Sequence, residues 1–370
     1  MTSMTSEAVG VSPGRVNLIG EHTDYNDGYV LPIALDKTAR ISASRGGEGD
    51  VVTISSAQLG TSVVLDVLEP GERAWWGYIA GVVWALRDAG HPIGAIDLAL
   101  DSDVPLGGGL SSSAAIECAT ALALDQLASL DLTPEQLASV SQAAENRFLG
   151  IPTGPMDQRA SLWCEAEHAL LLDCRTLTAR QIPFALPTDL TLALVDTRSP
   201  HVLADGHYAR RRASCEAAAA VLGVTALRDV TIDELPAALA RLSDEEHVRR
   251  VRHVVTENAR VLATVAALEA NDWAAVGELL TASHASMRDD YEITVPTVDL
   301  AVEVAVASGA LGARMTGGGF GGTVIALLPT RELQAFTTAL TQAYALHGFD
   351  TPQVTTTRAC AGGIALSLRG

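Results

Sequence analysis

The stretch PLGGGLSSSAAIECATALAL, Pro105–Leu124, is the part of this chain from which the fold is read. Its three consecutive glycines, Gly107, Gly108 and Gly109, allow a tight backbone path whose N–H groups can approach a ligand closely. Leu110 then leads into Ser111, Ser112 and Ser113 and a helix rich in Ala and Leu. A helix start carries unpaired N–H groups and the positive end of the helix dipole, which together favour an anion. The serines can cap that helix, or reach phosphate oxygens and a magnesium ion. An ordinary loop before a serine-capped helix fits the same letters equally well. No lysine follows the glycines, so this is not a Walker A loop.

Outward from this loop, strands and helices interleave in both directions, which argues for α+β or α/β layering. Upstream, strand-like runs occupy Thr38–Ser44, Val51–Ser55, Ser62–Leu68 and Ala95–Leu100, with a helix over Trp75–Asp88. Downstream, Thr133, Pro134 and Gln136 spell a capped helix start. Its apolar stripe is Leu137, Val140, Ala144 and Phe148, and Gly150 ends it. A loop with Pro183 and Pro187 marks a domain boundary, giving domains 1–187 and 188–370. The second half opens with a strand at Leu190–Asp196. Helices are expected over Tyr208–Leu222, Ile232–Leu242, Glu246–Ala270, Trp273–Met287, Val298–Gly309 and Leu333–His347, and a closing strand follows.

The chain has 370 residues, enough for two domains. It carries 25 Lys+Arg against 44 Asp+Glu, a net charge of -19. Such a surface repels nucleic acid and anionic lipid, so neither is an expected partner, and an anionic nucleotide must be met by local N–H groups or a divalent metal. Five cysteines, odd in number and without CxxC spacing, argue against a disulfide framework or a structural zinc site. With no secretory signal and no apolar run of about 18 residues, a cytoplasmic location is expected.

Further constellations accompany the loop. TGGGFGG, Thr316–Gly322, contains a GxGxxG spacing at Gly317, Gly319 and Gly322. A dinucleotide site needs a strand before that spacing and a helix after it. Here a helical segment is expected before it and the strand-like TVIALL follows, so the nicotinamide reading fails, and a glycine turn joining helix to strand and packed on another loop is the better account. GRVNLIGEHTDYNDG, Gly14–Gly28, gathers Arg15, Asn17, Glu21, His22, Asp24 and Tyr25, a density of hydrogen-bonding groups suited to a polyhydroxylated ligand. A solvated turn explains that composition as well. GIPTGPMDQ holds Asp157, whose type and place suit a helix cap. Glu145 projects from the edge of the preceding apolar stripe, where a carboxylate is ordinarily a surface charge. Arg210–Arg212 open a helix, where cations oppose the dipole.

In order and together, these segments resemble the galactokinases of the GHMP kinase superfamily. GRVNLIGEHTDYNDGYVLP is similar to the galactokinase signature, PLGGGLSSSAA to the superfamily's phosphate loop, and GARMTGGGFGGTVIAL to its third motif. ENRFLGIPTGPMDQ and DGHYARRRASCE also stand at galactokinase-like places, so the likeness runs from about Pro13 to Ser367. It implies an α+β, two-lobed GHMP kinase fold with an N-terminal lobe like ribosomal protein S5 domain 2 and a ferredoxin-like C-terminal lobe. The implied reaction moves the γ-phosphoryl of ATP to the anomeric hydroxyl of galactose. The resemblance assigns Gly107, Gly108, Gly109, Leu110, Ser111, Ser112 and Ser113 to the triphosphate, and Ser113 with Glu145 to Mg²⁺. It places Glu21, His22, Thr23, Asp24, Gly154 and Tyr208 in the sugar pocket, with Asp157 taking the hydroxyl proton beside Arg15. An arginine beside a carboxylate weakens it as a base, so Arg15 is equally suited to activating the hydroxyl or stabilising the anionic transition state.

The sequence departs from the family pattern at Asp196–His201 (DTRSPH), at Thr323 after Gly322, and at Thr153–Gly154, where Cys–Gly is usual. Two further readings follow. One is a GHMP kinase for arabinose or an amino sugar. The other is a non-catalytic sensor of galactose and ATP, against which Ser113, Glu145 and Asp157 argue. The acting form is expected to be a monomer.

Overall fold

A computed structural model describes residues 7–105, 107–199 and 204–367. Pro200 and His201 of the Asp196–His201 segment lie outside these residues. From the N-terminus the chain forms β1 (Ala8–Asn17), β2 (Tyr29–Val30), β3 (Pro32–Arg45), β4 (Val52–Ser56) and β5 (Thr61–Leu65). Helix α1 (Gly77–Asp88), strand β6 (Ile96–Ser102) and helices α2 (Ser112–Ala128) and α3 (Pro134–Ala143) follow. A π turn over Ala144–Phe148 leads toward α4 (Met156–Trp163), β7 (His168–Asp173) and β8 (Thr178–Pro183). The remainder comprises β9 (Leu190–Asp196), α5 (Ala204–Leu222), α6 (Leu235–Leu239), α7 (Glu245–Glu269), α8 (Trp273–Ser286) and a second π turn over Met287–Tyr291. Then come α9 (Pro296–Ala307), β10 (Gly312–Thr316), β11 (Thr323–Pro329), α10 (Leu333–His347), β12 (Gln353–Thr357) and β13 (Ile364–Ser367).

Three sheets organise these elements. The first has the order β13-β1-β3-β6-β4-β5, the second β10-β11-β9-β12 and the third β2-β7-β8. Helix α2 lies across β1 and β3. It is buried along most of its length, from Ala114 to Leu127, which is why it is rich in small residues and lacks a polar stripe. The second sheet explains the continuous apolar run TVIALL. Ile325 and Leu327 enter the core of the first lobe, whereas Val324, Ala326 and Leu328 enter a second core against Tyr291, Phe336 and Tyr344. A strand buried on both faces has no polar alternation to show.

The capped start of α3 forms as read. Thr133 Oγ1 accepts from Gln136 N at 3.3 Å, and Gln136 Oε1 accepts from Thr133 N at 2.9 Å. Three readings need correction. The glycine turn of the third motif joins strand to strand, because α9 stops at Ala307 and Gly309 at φ +88° turns the chain into β10, which pairs with β11. Arg210–Arg212 do not open their helix, since α5 begins at Ala204. Arg211 instead donates to the carbonyls of Tyr291 and Glu292 at 2.8 and 3.0 Å. The third concerns Glu145, which is buried. We propose a division of the lobes near residue 187, with β13 crossing back to pair with β1. Among the described residues no helix is long and apolar enough to cross a membrane, and the five cysteines are free, four of them buried.

Candidate active site

Five segments distant in sequence converge between the first and second sheets. Strand β1 brings Arg15, and its register against β3 shifts between Pro13 and Arg15, the kind of irregularity that re-aims a side chain. Helix α4 brings Asp157 in its first turn, where no side chain caps the helix, so the carboxylate is free for another partner. Arg15 donates to it twice, Nε to Oδ1 at 2.8 Å and Nη2 to Oδ2 at 2.9 Å. Such a fork-on-fork pair fixes geometry as well as charge. The remaining guanidinium nitrogen, Nη1, donates to the carbonyl of Gly109 at 2.7 Å. Ser111 Oγ also donates to Asp157 Oδ2, at 2.6 Å.

The glycine loop is folded as its composition suggests. Gly107 and Gly109 have φ near +74°, and Ser111, the residue before α2, is also left-handed at φ +54°. The hydroxyl of Ser111 does not cap the helix, because it is turned to Asp157. Leu110 points its side chain into the core, so only its backbone faces the loop. The third-motif turn packs against this loop. A Cβ on Gly317 would sit 3.0 Å from the carbonyl oxygen of Gly109, and Thr323 Oγ1 donates to Gly108 O at 2.6 Å.

Arg15 and Asp157 form one side of a cavity of ≈ 170 Å³ whose other walls include Glu21, His22, Asp24, Gly154 and Tyr208. Gly154 is there because nothing larger fits: a Cβ would meet Asp24 Oδ2 at 1.9 Å. Burial, and then the Asp157 carboxylate, push Asp24 up to about 7. Burial raises Glu21 above the usual carboxylate range despite Arg314 and Arg15 nearby. Glu21 accepts from the N–H of Gly317 at 2.7 Å and from the amide of Asn17. Burial, followed by the influence of His253, lowers His22 to about 3, so its ring is neutral. Thr23 does not face the cavity; its hydroxyl is held at the carbonyls of Gly20 and Tyr29, 2.8 and 2.6 Å away, and so secures the loop instead.

Beside Asp157 lies a second carboxylate group. Glu145 Oε2 accepts from Thr153 Oγ1 at 3.1 Å and from Gln158 Nε2 at 2.9 Å. Ser113 also bonds this carboxylate, which burial and Asp157 nevertheless hold above its ordinary range. The same Gln158 nitrogen donates to Glu117 Oε2 at 2.9 Å. Ser113 and Glu145 fit Mg²⁺: they offer hard oxygen donors, and the crowded carboxylates gain from a nearby cation. No group of three His, Cys, Asp or Glu that could hold a metal ion occurs among the described residues.

Reading the sequence missed Gln158, Glu117 and Arg314. Gln158 stands at the end of the quoted MDQ segment, where nothing in the letters marked it. Arg314 is fully buried on β10, with Nη1 donating to Leu18 O at 2.7 Å and Nη2 lying 3.6 Å from Glu21 Oε1. An arginine inside an apolar strand was the available signal for it.

A glycine loop at a helix start and a carboxylate–arginine pair thus meet within this α+β frame. The chain matches the model of the GHMP kinases N terminal domain over residues 77–165 and that of the GHMP kinases C terminal over 264–346. The galactokinase galactose-binding signature matches residues 3–45. A galactokinase of Streptomyces coelicolor is 51% identical over 354 residues, covering 94% of this chain and 91% of the relative. One from Mycobacterium tuberculosis is 46% identical over 353 residues, covering 95% and 97%. Among solved structures, Lactococcus lactis galactokinase complexed with galactose superposes with a TM-score of 0.92 at 33% identity, covering 98% of this chain and 96% of that one. A mevalonate kinase at 16% identity shares the fold, with a TM-score of 0.68. This chain belongs to the galactokinase family of GHMP kinases.

Proposed function

We propose that this enzyme transfers the γ-phosphoryl group of ATP to the anomeric hydroxyl of D-galactose, giving galactose 1-phosphate and ADP. One observation carries the reading. The Arg15 guanidinium bonds Asp157 on the sugar side and the Gly109 carbonyl of the glycine loop on the other. On this reading both substrates meet at one side chain. Relatives at 46–51% identity that are galactokinases support the substrate assignment.

In this account, galactose occupies the cavity between Glu21, His22, Asp24, Gly154 and Tyr208. Asp157 orients the anomeric hydroxyl and accepts its proton as attack proceeds. Arg15 keeps that carboxylate in place and offsets charge building on the transferred group. Backbone N–H groups from Gly107 to Ser113 and the start of α2 hold the triphosphate. Ser113 and Glu145 would hold Mg²⁺, which neutralises phosphate charge when bound. Since phosphoryl transfer is largely dissociative, positioning and electrostatics provide most of the acceleration. Free cysteines accord with a reducing compartment, and we place the enzyme in the cytoplasm, acting as a monomer. Phosphorus NMR of the product made from ATP, Mg²⁺ and galactose tests the reaction. A phosphate on the anomeric carbon is expected; one on any other carbon, or none, rejects it.

A further inference from the structure

Behind the cavity a chain of side chains runs from the second core to His22. His22 Nε2 lies 3.1 Å from the carbonyl oxygen of Gly318, and His22 Nδ1 lies 2.7 Å from the Tyr25 hydroxyl. Tyr25 OH is 2.8 Å from Tyr291 OH, which is 3.1 Å from Cys215 Sγ. All four residues are buried or half-buried. Their proton positions follow from donor chemistry together with the neutral state that burial imposes on His22. A carbonyl oxygen only accepts, so Nε2 must carry the ring proton. A neutral imidazole then has a lone pair at Nδ1, and the Tyr25 hydroxyl must donate to it. That leaves the Tyr25 oxygen to accept from Tyr291, and the Tyr291 oxygen to accept from the Cys215 thiol. Every bond points toward the cavity.

The end of this chain matters because of what His22 and its neighbour hold. Glu21 takes the N–H of Gly317 and His22 takes the C=O of Gly318. Two successive side chains thus pin the turn whose Gly317 packs on Gly109 of the phosphate loop. We infer that Tyr25 is a positioning residue for the sugar pocket: its hydroxyl locks His22 in the Nε2–H form and so fixes the Gly317–Gly318 wall. Tyr291 and Cys215 support it from behind. Burial supports this too, since it keeps Cys215, at about 11, as a thiol and His22 neutral. The link to galactose rests on the function proposed above; the link to His22 does not.

Two measurements on the full-length protein separate these. Nitrogen-15 NMR of the sugar-free protein with labelled histidine reads His22 directly. The parent should show Nε2–H with a hydrogen-bonded Nδ1, and Tyr25→Phe should move Nδ1 to the position of an unbonded acceptor. Steady-state kinetics should then show KM for galactose rising about tenfold in Tyr25→Phe, as for loss of one buried hydrogen bond, with kcat within about threefold. Tyr291→Phe, which leaves the Tyr25 donor in place, should have a smaller effect on both readouts. Cys215→Ser, which keeps a donor, should match the parent. A parent signal from Nδ1–H, or a Tyr25→Phe protein with unchanged Nδ1 and KM, overturns the proposal. So does an altered Nδ1 with unchanged KM, because the relay would then not serve the pocket. If the parent shows the expected Nδ1 but does not turn over galactose, the function fails and the relay to His22 stands.

Discussion

Arg15 holds Asp157 through two parallel hydrogen bonds while its third nitrogen grips the Gly109 carbonyl. The two side chains come from positions 142 apart in sequence, and their pairing ties the cavity that both line to the glycine loop. A carboxylate so held can be aimed without being free to rotate, which is what a group facing a reacting hydroxyl requires.

Removing either partner should cost more than a hundredfold in kcat. Asp157→Ala and Arg15→Ala are each expected to do so in an ADP-release assay. The double variant should fall far short of the product of the two losses, since the pair acts as a unit. Near-normal turnover in Asp157→Ala would reject its assignment.

Gly154→Ala tests the shape of the cavity. Its Cβ must displace the Asp24 carboxylate, so KM for galactose should rise at least about tenfold, as for a lost buried hydrogen bond. KM for ATP should change little. An unaltered KM for galactose would place the sugar elsewhere.

Asp24 sets a pH dependence of stability. Burial, and then Asp157, raise its carboxyl from 3.8 to about 7. Between those values the folded chain keeps a proton that the unfolded chain has released, so stability falls as pH rises through that window. The slope from this group is at most about 1.4 kcal/mol per pH unit. Urea midpoints of the parent should decline from pH 4.5 to 7.5 more steeply than those of Asp24→Asn. Equal slopes would contradict the assignment.

Metal use should depend on Glu145. In Glu145→Gln the Mg²⁺ concentration for half-maximal turnover should rise at least about tenfold, and Mn²⁺ binding to the nucleotide complex, read by electron paramagnetic resonance, should weaken in parallel. Chelation should abolish turnover in the parent. Unweakened Mn²⁺ binding in the variant would move the metal away from Glu145.

Much of this architecture is legible locally. The helix after Ser111, the capping box at Thr133 and the strand Leu190–Asp196 depend on nearby residues, and they form where the letters place them. What was hidden depends on distant partners. Glu145 looks like a surface charge on its own helix, yet the packing of α4 brings Gln158 to it and buries it. Strand β10 has five residues, too short a run to be marked by its own letters, and its pairing with β11 makes it a strand. Asp157 has the type and place of a cap, and only Arg15 and Ser111, across the fold, give it another task.

The most direct test is a crystal structure with galactose and a non-hydrolysable ATP analogue bound together. The account predicts the triphosphate along Gly107–Ser113 and the anomeric oxygen within hydrogen-bond reach of Asp157, facing the γ-phosphate. A triphosphate seated away from that loop, or a sugar whose anomeric oxygen turns from Asp157, would contradict it.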